Sequence, residues 1–194
     1  AASDVYKRQT FTLSKKYRIY GRRATGISLM TISSGWPPSQ TEYVMVSQDR
    51  DVMSYKEDVY KGVEESINIL IPGSIDMFSV IIKVVRIENS VYAIGSGFRI
   101  YKRVDHQIWR EHSTYLPVPD GLLDRKVEAI TRSRFRDLSG FSESDMYAVG
   151  GTGTVYHFNG EQWKQLPFPT NKLLYTVCCA GDGFVYIADF DGAI

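Results

Sequence analysis

Residues 145–169, DMYAVGGTGTVYHFNGEQWKQLPFP, contain three short runs of β-branched and aromatic residues that are separated by tight turns. The runs are residues 146–149, 155–158 and 162–166. Gly150-Gly151 and Asn159-Gly160 lie between them, and Asn-Gly between two such runs is a strong hairpin signal. The stretch therefore predicts a three-stranded β-meander. A meander of this size needs neighbours, because it cannot bury its own apolar surface.

The same pattern recurs along the chain at regular intervals. The matching residues are Tyr92 and Tyr147, Tyr101 and Tyr156, and Trp109 and Trp163, with spacings of 55, 55 and 54 residues. Tyr186 repeats the first of them 39 residues after Tyr147, and a weaker copy at 42–61 has Tyr60 in place of the tryptophan. An apolar run precedes each copy, at residues 27–32, 80–87, 126–131 and 174–179. Four strands per unit at intervals of about 40–55 residues are typical of β-propeller blades.

The chain resembles the kelch and related bacterial propeller repeats. The resemblance rests on Gly150-Gly151 after the second strand, Tyr156 in the third strand and Trp163 in the fourth, and it covers about residues 25–194. It departs from the family in the short loop before Tyr156, in the other copies, which lack the double glycine, and in having no WD dipeptide. The resemblance implies an all-β fold, a partial β-propeller of about three and a half four-stranded antiparallel blades. A propeller hosts many functions, so the resemblance concerns architecture alone.

The repeat suggests boundaries along the chain. We expect blades at about 25–72, 73–120, 121–169 and, incomplete, 170–194, and the end of a preceding blade with its linker at 10–24. Residues 1–9, AASDVYKRQ, resemble the translation of a sequencing-library adapter, and a natural polar tail is the alternative. Because a closed propeller has about 4–8 blades, we expect a metagenomic fragment whose remaining blades complete the ring.

Composition restricts the classes of partner. The net charge of +1 indicates neither nucleic acid nor a membrane surface as a partner, and no apolar run approaches the ~20 residues of a membrane-spanning helix. The adjacent Cys178 and Cys179 point to opposite faces of a strand, which favours packing over a disulfide. This is compatible with a reducing compartment and favours the cytoplasm.

Catalytic, metal and cofactor motifs do not emerge from the sequence. The three histidines, His106, His112 and His157, do not have the spacing of a ligand set. The glycines at 150–153 lack the Lys-Ser/Thr and the helix of a phosphate loop, and the Asp-Phe-Asp-Gly at 189–192 lacks the glutamate of a calcium loop. We therefore expect no catalytic residue, no metal and no cofactor in this sequence.

Two segments are predicted as binding loops on opposite faces of the disc. Residues 113–124 would join two blades and contribute Tyr115 and Asp120, and residues 132–144 are predicted as an insertion between the first two strands of the third unit. The binding candidates in the insertion are Arg132, Arg134 and Arg136. These arginines alternate along an extended segment and would line one side of it, where they offer planar donors to an acidic partner. A solvated edge, balanced by three nearby carboxylates, is the alternative.

The function that this sequence favours is a non-enzymatic interaction scaffold that binds a protein partner or small ligand through the loops of a propeller face. The alternative is an enzyme or carbohydrate-binding propeller whose active residues lie on blades absent from this sequence. The predicted inner strands offer only Lys83, Arg86, Glu128 and Arg132 toward the central channel, which is little for catalysis. A structural spacer in a larger protein is a third interpretation.

Overall fold

The computed structural model describes residues 30–34, 42–56, 60–63, 66–67, 80–113, 116 and 133–192. Within this part of the chain the fold is all-β, with three four-stranded antiparallel sheets and one two-stranded sheet. Within each sheet, every strand pairs with the strand that follows it in sequence, so each sheet is a meander. The predicted fold class is thereby confirmed. The described residues include no helix that is long and apolar enough to span a membrane.

The strand bounds follow the tyrosine and tryptophan spacing. The first sheet comprises β1 (Met30–Ser34), β2 (Glu42–Ser47), β3 (Val52–Lys56) and β4 (Tyr60–Val63). The second comprises β5 (Ile81–Ile87), β6 (Ser90–Gly95), β7 (Ile100–Asp105) and β8 (Ile108–Glu111). The third comprises β9 (Phe135–Ser142), β10 (Asp145–Gly150), β11 (Thr154–Phe158) and β12 (Trp163–Leu166), and the last comprises β13 (Leu174–Cys179) and β14 (Val185–Asp189).

Successive sheets are arranged as propeller blades are. The first strand of each sheet contacts the first strand of the next, β1 with β5, β5 with β9, and β9 with β13. The turn after each second strand also hydrogen-bonds to the backbone at the entry to the following sheet. These bonds are Ile81 N–H to Gln48 C=O at 3.1 Å, Gly97 N–H to Ser133 C=O at 2.7 Å, and Leu174 N–H to Gly151 C=O at 3.3 Å. An equivalent backbone hydrogen bond therefore recurs at three consecutive sheet boundaries.

Two glycines at equivalent positions of the repeat allow the first and second strands to approach closely in the second and third sheets. Gly95 and Gly150 end β6 and β10, where a Cβ atom would lie only 1.9 Å from the Val80 carbonyl oxygen and 2.1 Å from the Arg134 carbonyl oxygen, respectively. A side chain at either position would therefore push the first and second strands of its sheet apart. This close approach explains why both copies of the repeat have glycine here.

Apolar side chains pack between successive sheets. The core between the second and third sheets includes Tyr92, Phe135 and Trp163, and the core between the first and second includes Val44, Val52 and Tyr101. Valine and leucine fill the boundary between the third sheet and β13. The predicted role of the repeated aromatic residues as packing between blades is confirmed for Tyr92, Tyr101, Tyr156 and Trp163, which are buried. Tyr186 is exposed in the two-stranded sheet, and its packing against a further blade stays a prediction.

The predicted insertion at 132–144 is wrong, because most of it is a strand. Phe135–Ser142 forms β9, the first strand of the third sheet, and Glu143-Ser144 is the short turn into β10. Burial of Phe135 and Leu138 in the core between the second and third sheets holds the segment there despite its many polar residues. The apolar run at 126–131, predicted as this first strand, lies outside the described residues. The predicted blade boundaries stay predictions.

Candidate functional site: an arginine–aromatic surface

Only part of the predicted binding set falls in the described chain. Tyr115, Asp120 and Arg132 lie outside the described residues. Arg134 and Arg136 lie at the start of β9, where Arg134 forms an isolated bridge with Ser96 of the preceding sheet. The structure therefore places both described arginines at the inner edge of the third sheet rather than in a loop.

Arg136 meets an aromatic pair that comes from the next sheet. Its guanidinium carbon lies 5.3 Å from the centroid of the Tyr175 ring in β13, a cation–π distance. The Tyr175 ring in turn packs edge-on against Phe190, with centroids 5.8 Å apart. Leu173 is the fifth member of this group, because its carbonyl accepts a 3.2 Å hydrogen bond from the Phe190 amide. We call Arg134, Arg136, Leu173, Tyr175 and Phe190 the arginine–aromatic surface.

The aromatic and aliphatic side chains of this surface are exposed to solvent. Tyr175 is 48% exposed, Phe190 73% and Leu173 40%. Phe190 is held in place by the turn that follows β14, in which the Asp191 amide donates to the Asp189 carboxylate at 2.9 Å and Gly192 has a positive φ of 81°. The apolar side chains are therefore presented by ordered backbone at the edge of a sheet.

Residues 189–192 form a turn, and the carboxylates of this turn bind a lysine. Lys172 Nζ lies 3.1 Å from Asp189 Oδ2 and 3.2 Å from Asp191 Oδ2. Hydrogen bonds to Asp189 and then to Asp191 raise the pKa of Lys172. This cluster of one lysine and two carboxylates borders the arginine–aromatic surface through Leu173 and Phe190.

The positive charges of the two arginines affect each other. Burial, and then the nearby Arg136, lower the pKa of Arg134. No carboxylate of the described residues forms an ion pair with either arginine. Nε of Arg134 is buried and has no hydrogen-bond partner among the described residues. Within this part of the chain, both guanidinium groups therefore lack a carboxylate acceptor.

The three carboxylates that were predicted to balance the arginines bind other groups, whereas a solvated edge stays an alternative for the arginines themselves. Glu143 accepts a 2.7 Å hydrogen bond from Ser90 and pairs with Lys102, both in the second sheet. Asp145 lies 2.8 Å from His157 Nε2. These contacts bind the third sheet to the second and β10 to β11, so these carboxylates do not pair with the arginines.

The third carboxylate, Asp137, is a structural group that sequence reasoning missed. It is buried, and its Oδ1 lies 2.6 Å from Lys83 Nζ of β5, while Thr176 Oγ1 of β13 donates to its Oδ2 at 2.7 Å. One side chain thus joins the first strands of three sheets. Lys83 was the available signal, because a lysine inside an apolar inner strand requires a nearby carboxylate.

These features define a β-propeller-like protein with an arginine–aromatic surface at the boundary of its last two described sheets. Among solved structures, the chain is similar to YCF48 from Cyanidioschyzon merolae, a β-propeller, with a TM-score of 0.53 and 12% identity over 83% of this chain and 48% of that one. At that identity the similarity concerns the fold alone.

Comparison of sequences adds one relative. The chain is 33% identical over 108 residues to the immune protein Tsi7 of Pseudomonas aeruginosa, a match that covers 56% of this chain and 33% of the relative. The chain therefore spans about one third of the length of this curated relative. No family model matches the chain.

Proposed function

We propose that this chain is a non-enzymatic protein-binding module and that the arginine–aromatic surface is its contact region. The observation that carries the proposal is the contact of Arg136 with Tyr175, beside the exposed Phe190. Arginine and aromatic residues are enriched at protein interfaces and dominate their binding energy, because they combine a large apolar area with directional donors. Because these residues lie at the edge of a sheet, their backbone loses little conformational entropy on binding.

The relative supports a binding function. Its name, immune protein, denotes protection, and a protein that protects by blocking a harmful partner needs a contact surface rather than catalytic groups. A propeller provides such surfaces on a rigid scaffold. Because the chain matches only a third of this relative, the transfer of its role is part of the proposal.

The finer assignments belong to the same proposal. We place the chain among kelch-like repeat proteins of bacteria, within a longer protein that has further blades. The Pseudomonas aeruginosa relative supports a bacterial origin, and its greater length supports a longer protein. A small ligand bound on the same face is the remaining alternative to a protein partner.

Site-specific photo-crosslinking tests the proposed contact region. A photoreactive phenylalanine analogue replaces Tyr175, and the chain is expressed in Pseudomonas aeruginosa, the source of the relative. The matched control carries the analogue at Ile108, an exposed apolar residue on β8, the outermost strand of the second sheet. We expect a discrete protein adduct from position 175 and none from position 108. No adduct at 175, or the same adducts at both positions, would contradict the proposal.

A further inference from the structure

We propose that the segment recognised by the arginine–aromatic surface is an acidic stretch of a partner protein, with an apolar side chain next to its carboxylates. This inference rests on the proposed function and specifies the chemistry of the partner. It follows from three features: arginines without a carboxylate partner among the described residues, exposed aromatic rings beside them, and a neighbouring lysine that already binds two carboxylates.

The arginines are the first feature. Arg134 immediately precedes β9, Arg136 is its second residue, and the guanidinium carbon of Arg136 lies 5.3 Å from the centroid of the Tyr175 ring. The mutual repulsion of the two guanidinium groups, after burial, lowers the pKa of Arg134. A carboxylate placed between them would relieve this repulsion and accept planar, charge-assisted hydrogen bonds from both.

Structural arginines elsewhere in the chain show what these two lack. Arg103 Nη2 lies 2.6 Å from Glu42 of the first sheet, and Arg99 Nη1 lies 3.2 Å from Glu111. Both of these arginines are buried and bind a carboxylate from the same chain. Within the described residues, Arg134 and Arg136 have no such partner. An acidic partner would supply the carboxylate that these two arginines lack within the described residues.

The exposed aromatic residues specify the apolar part of the partner. Tyr175 already contacts Arg136, and Phe190 continues the surface away from the charge. An apolar side chain that covers Phe190 would remove its area from water, and this would also strengthen the adjacent ion pair by lowering the local dielectric constant. The partner must therefore carry charge and apolar area side by side.

The border of the surface favours protein carboxylates over nucleic acid. Lys172, which precedes Leu173 of the surface, already binds Asp189 and Asp191. Nucleic-acid binding depends on several phosphate contacts in a row, and the two arginines alone do not form such a row. Two adjacent arginines suit a short acidic segment of a protein.

Peptide titration tests the inference with the whole chain. Three short synthetic peptides share their leucine and phenylalanine positions and carry glutamate, glutamine or lysine at the remaining ones. Binding is followed by NMR, through the side-chain Nε–Hε signals of Arg134 and Arg136. We expect the glutamate peptide to bind about tenfold or more tightly than the glutamine peptide, with an affinity that falls at high salt. The lysine peptide should not bind.

Variants assign the binding to the surface. Arg136→Gln should weaken binding of the glutamate peptide about tenfold, and Arg136→Lys, which keeps the charge but loses the planar fork, should weaken it less. Arg110→Gln is the matched control, because Arg110 is exposed on β8, away from the surface. It should leave the affinity unchanged.

Three outcomes would overturn the inference: equal affinity for the glutamate and glutamine peptides, an equal loss in the Arg110 and Arg136 variants, or tighter binding of a short DNA oligonucleotide than of the glutamate peptide. If position 175 still crosslinks to a protein in any of these cases, the proposed function stands and only the acidic chemistry of the partner fails. If position 175 forms no adduct while the glutamate peptide binds at Arg136, the inference stands and the proposed function fails.

Discussion

Tyrosines at the same place in the second strand of two sheets meet opposite environments. Tyr92 in β6 is 0% exposed, and its hydroxyl donates to Glu143 of the neighbouring third sheet at 3.4 Å. Tyr186 in β14 is 43% exposed, and its hydroxyl donates to Asp182 of its own hairpin at 2.8 Å. The local sequence thus forms the strand in both cases, while the neighbouring sheet decides whether the tyrosine becomes core or surface.

The two sheet boundaries differ in the same way. Aromatic residues such as Phe135 and Trp163 fill the boundary between the second and third sheets, whereas the boundary between the third sheet and β13 is built from smaller residues such as Val149 and Leu174. The aromatic residues of the last sheet therefore remain outside its core. In the case of Tyr175, the exposed ring contacts Arg136 and forms part of the proposed binding surface.

Removing one aromatic ring from the core between the second and third sheets, and one from the exposed surface, should give the largest difference in stability. Phe135→Ala empties a fully buried site between the second and third sheets and should lower the free energy of unfolding by about 3–5 kcal/mol. Phe190→Ala removes a ring that is mostly in water and should change it by less than about 0.5 kcal/mol. Urea unfolding measures both. Similar losses in the two variants would show that Phe190 belongs to a core.

The carboxylate that joins three sheets should have the next largest effect. Asp137→Ala removes the acceptor for Lys83 and Thr176 and should cost about 2–4 kcal/mol of stability. Asp191→Ala is the control, because this carboxylate is largely exposed and binds only the exposed Lys172, and it should cost less than about 0.5 kcal/mol. An Asp137 variant as stable as the Asp191 variant would contradict the role of Asp137 as the common partner.

The buried His112 should make stability depend on pH. Its ring packs against Tyr92, Phe158 and Trp163, and burial, then the charge of Lys102, lowers its pKa from 6.5. The unfolded chain therefore binds this proton more readily than the folded chain. Stability is full above pH 6.5 and falls below it, with a slope of at most about 1.4 kcal/mol per pH unit.

Urea unfolding at several pH values measures this dependence, and His112→Gln should flatten it just below pH 6.5. Glu143, the other charged group near the ring, contributes in a separate range. Burial opposes ionisation of Glu143, but hydrogen bonds from Lys102 and Ser90 outweigh burial and lower its pKa from 4.5, so its contribution is lost only at more acidic pH. An unchanged slope in the His112 variant would contradict the burial of a neutral imidazole.

Removing the two tyrosine hydroxyls should give the smallest contrast. Tyr92→Phe loses a partly buried hydrogen bond to a carboxylate and should cost about 1 kcal/mol, whereas Tyr186→Phe loses an exposed one and should cost clearly less. Thermal unfolding of both variants measures the difference. Equal costs would mean that the neighbouring sheet does not change the environment of the repeated tyrosine.

The sequence predicted most strands because their pattern repeats in sequence. Tyr92, Tyr147 and Tyr186 mark three second strands through spacing alone. The sequence did not predict β9 as a strand, because it contains many polar residues. The burial of Phe135 and Leu138 depends on contacts with the second sheet. Local patterns thus find strands, but they do not show which polar strand a neighbour buries.

The sequence singled out only two members of the proposed surface, the arginines. The alternation of Arg134 and Arg136 identified the arginines, but Tyr175 and Phe190 belong to a different sheet, about 40 and 55 residues further on, and nothing in sequence spacing relates them to the arginines. Asp137 was assigned to the arginines because it is adjacent to them, whereas the structure pairs it with a lysine 54 positions away. Contacts between sheets were the missing information.

The double variant Arg136→Gln/Tyr175→Ala tests most directly whether this surface binds without stabilising the fold. Its stability in urea and its affinity for the glutamate peptide are measured on the same sample. We predict a free energy of unfolding within about 0.5 kcal/mol of the parent chain and loss of detectable peptide binding. A large loss of stability, or unchanged peptide affinity, would contradict the account.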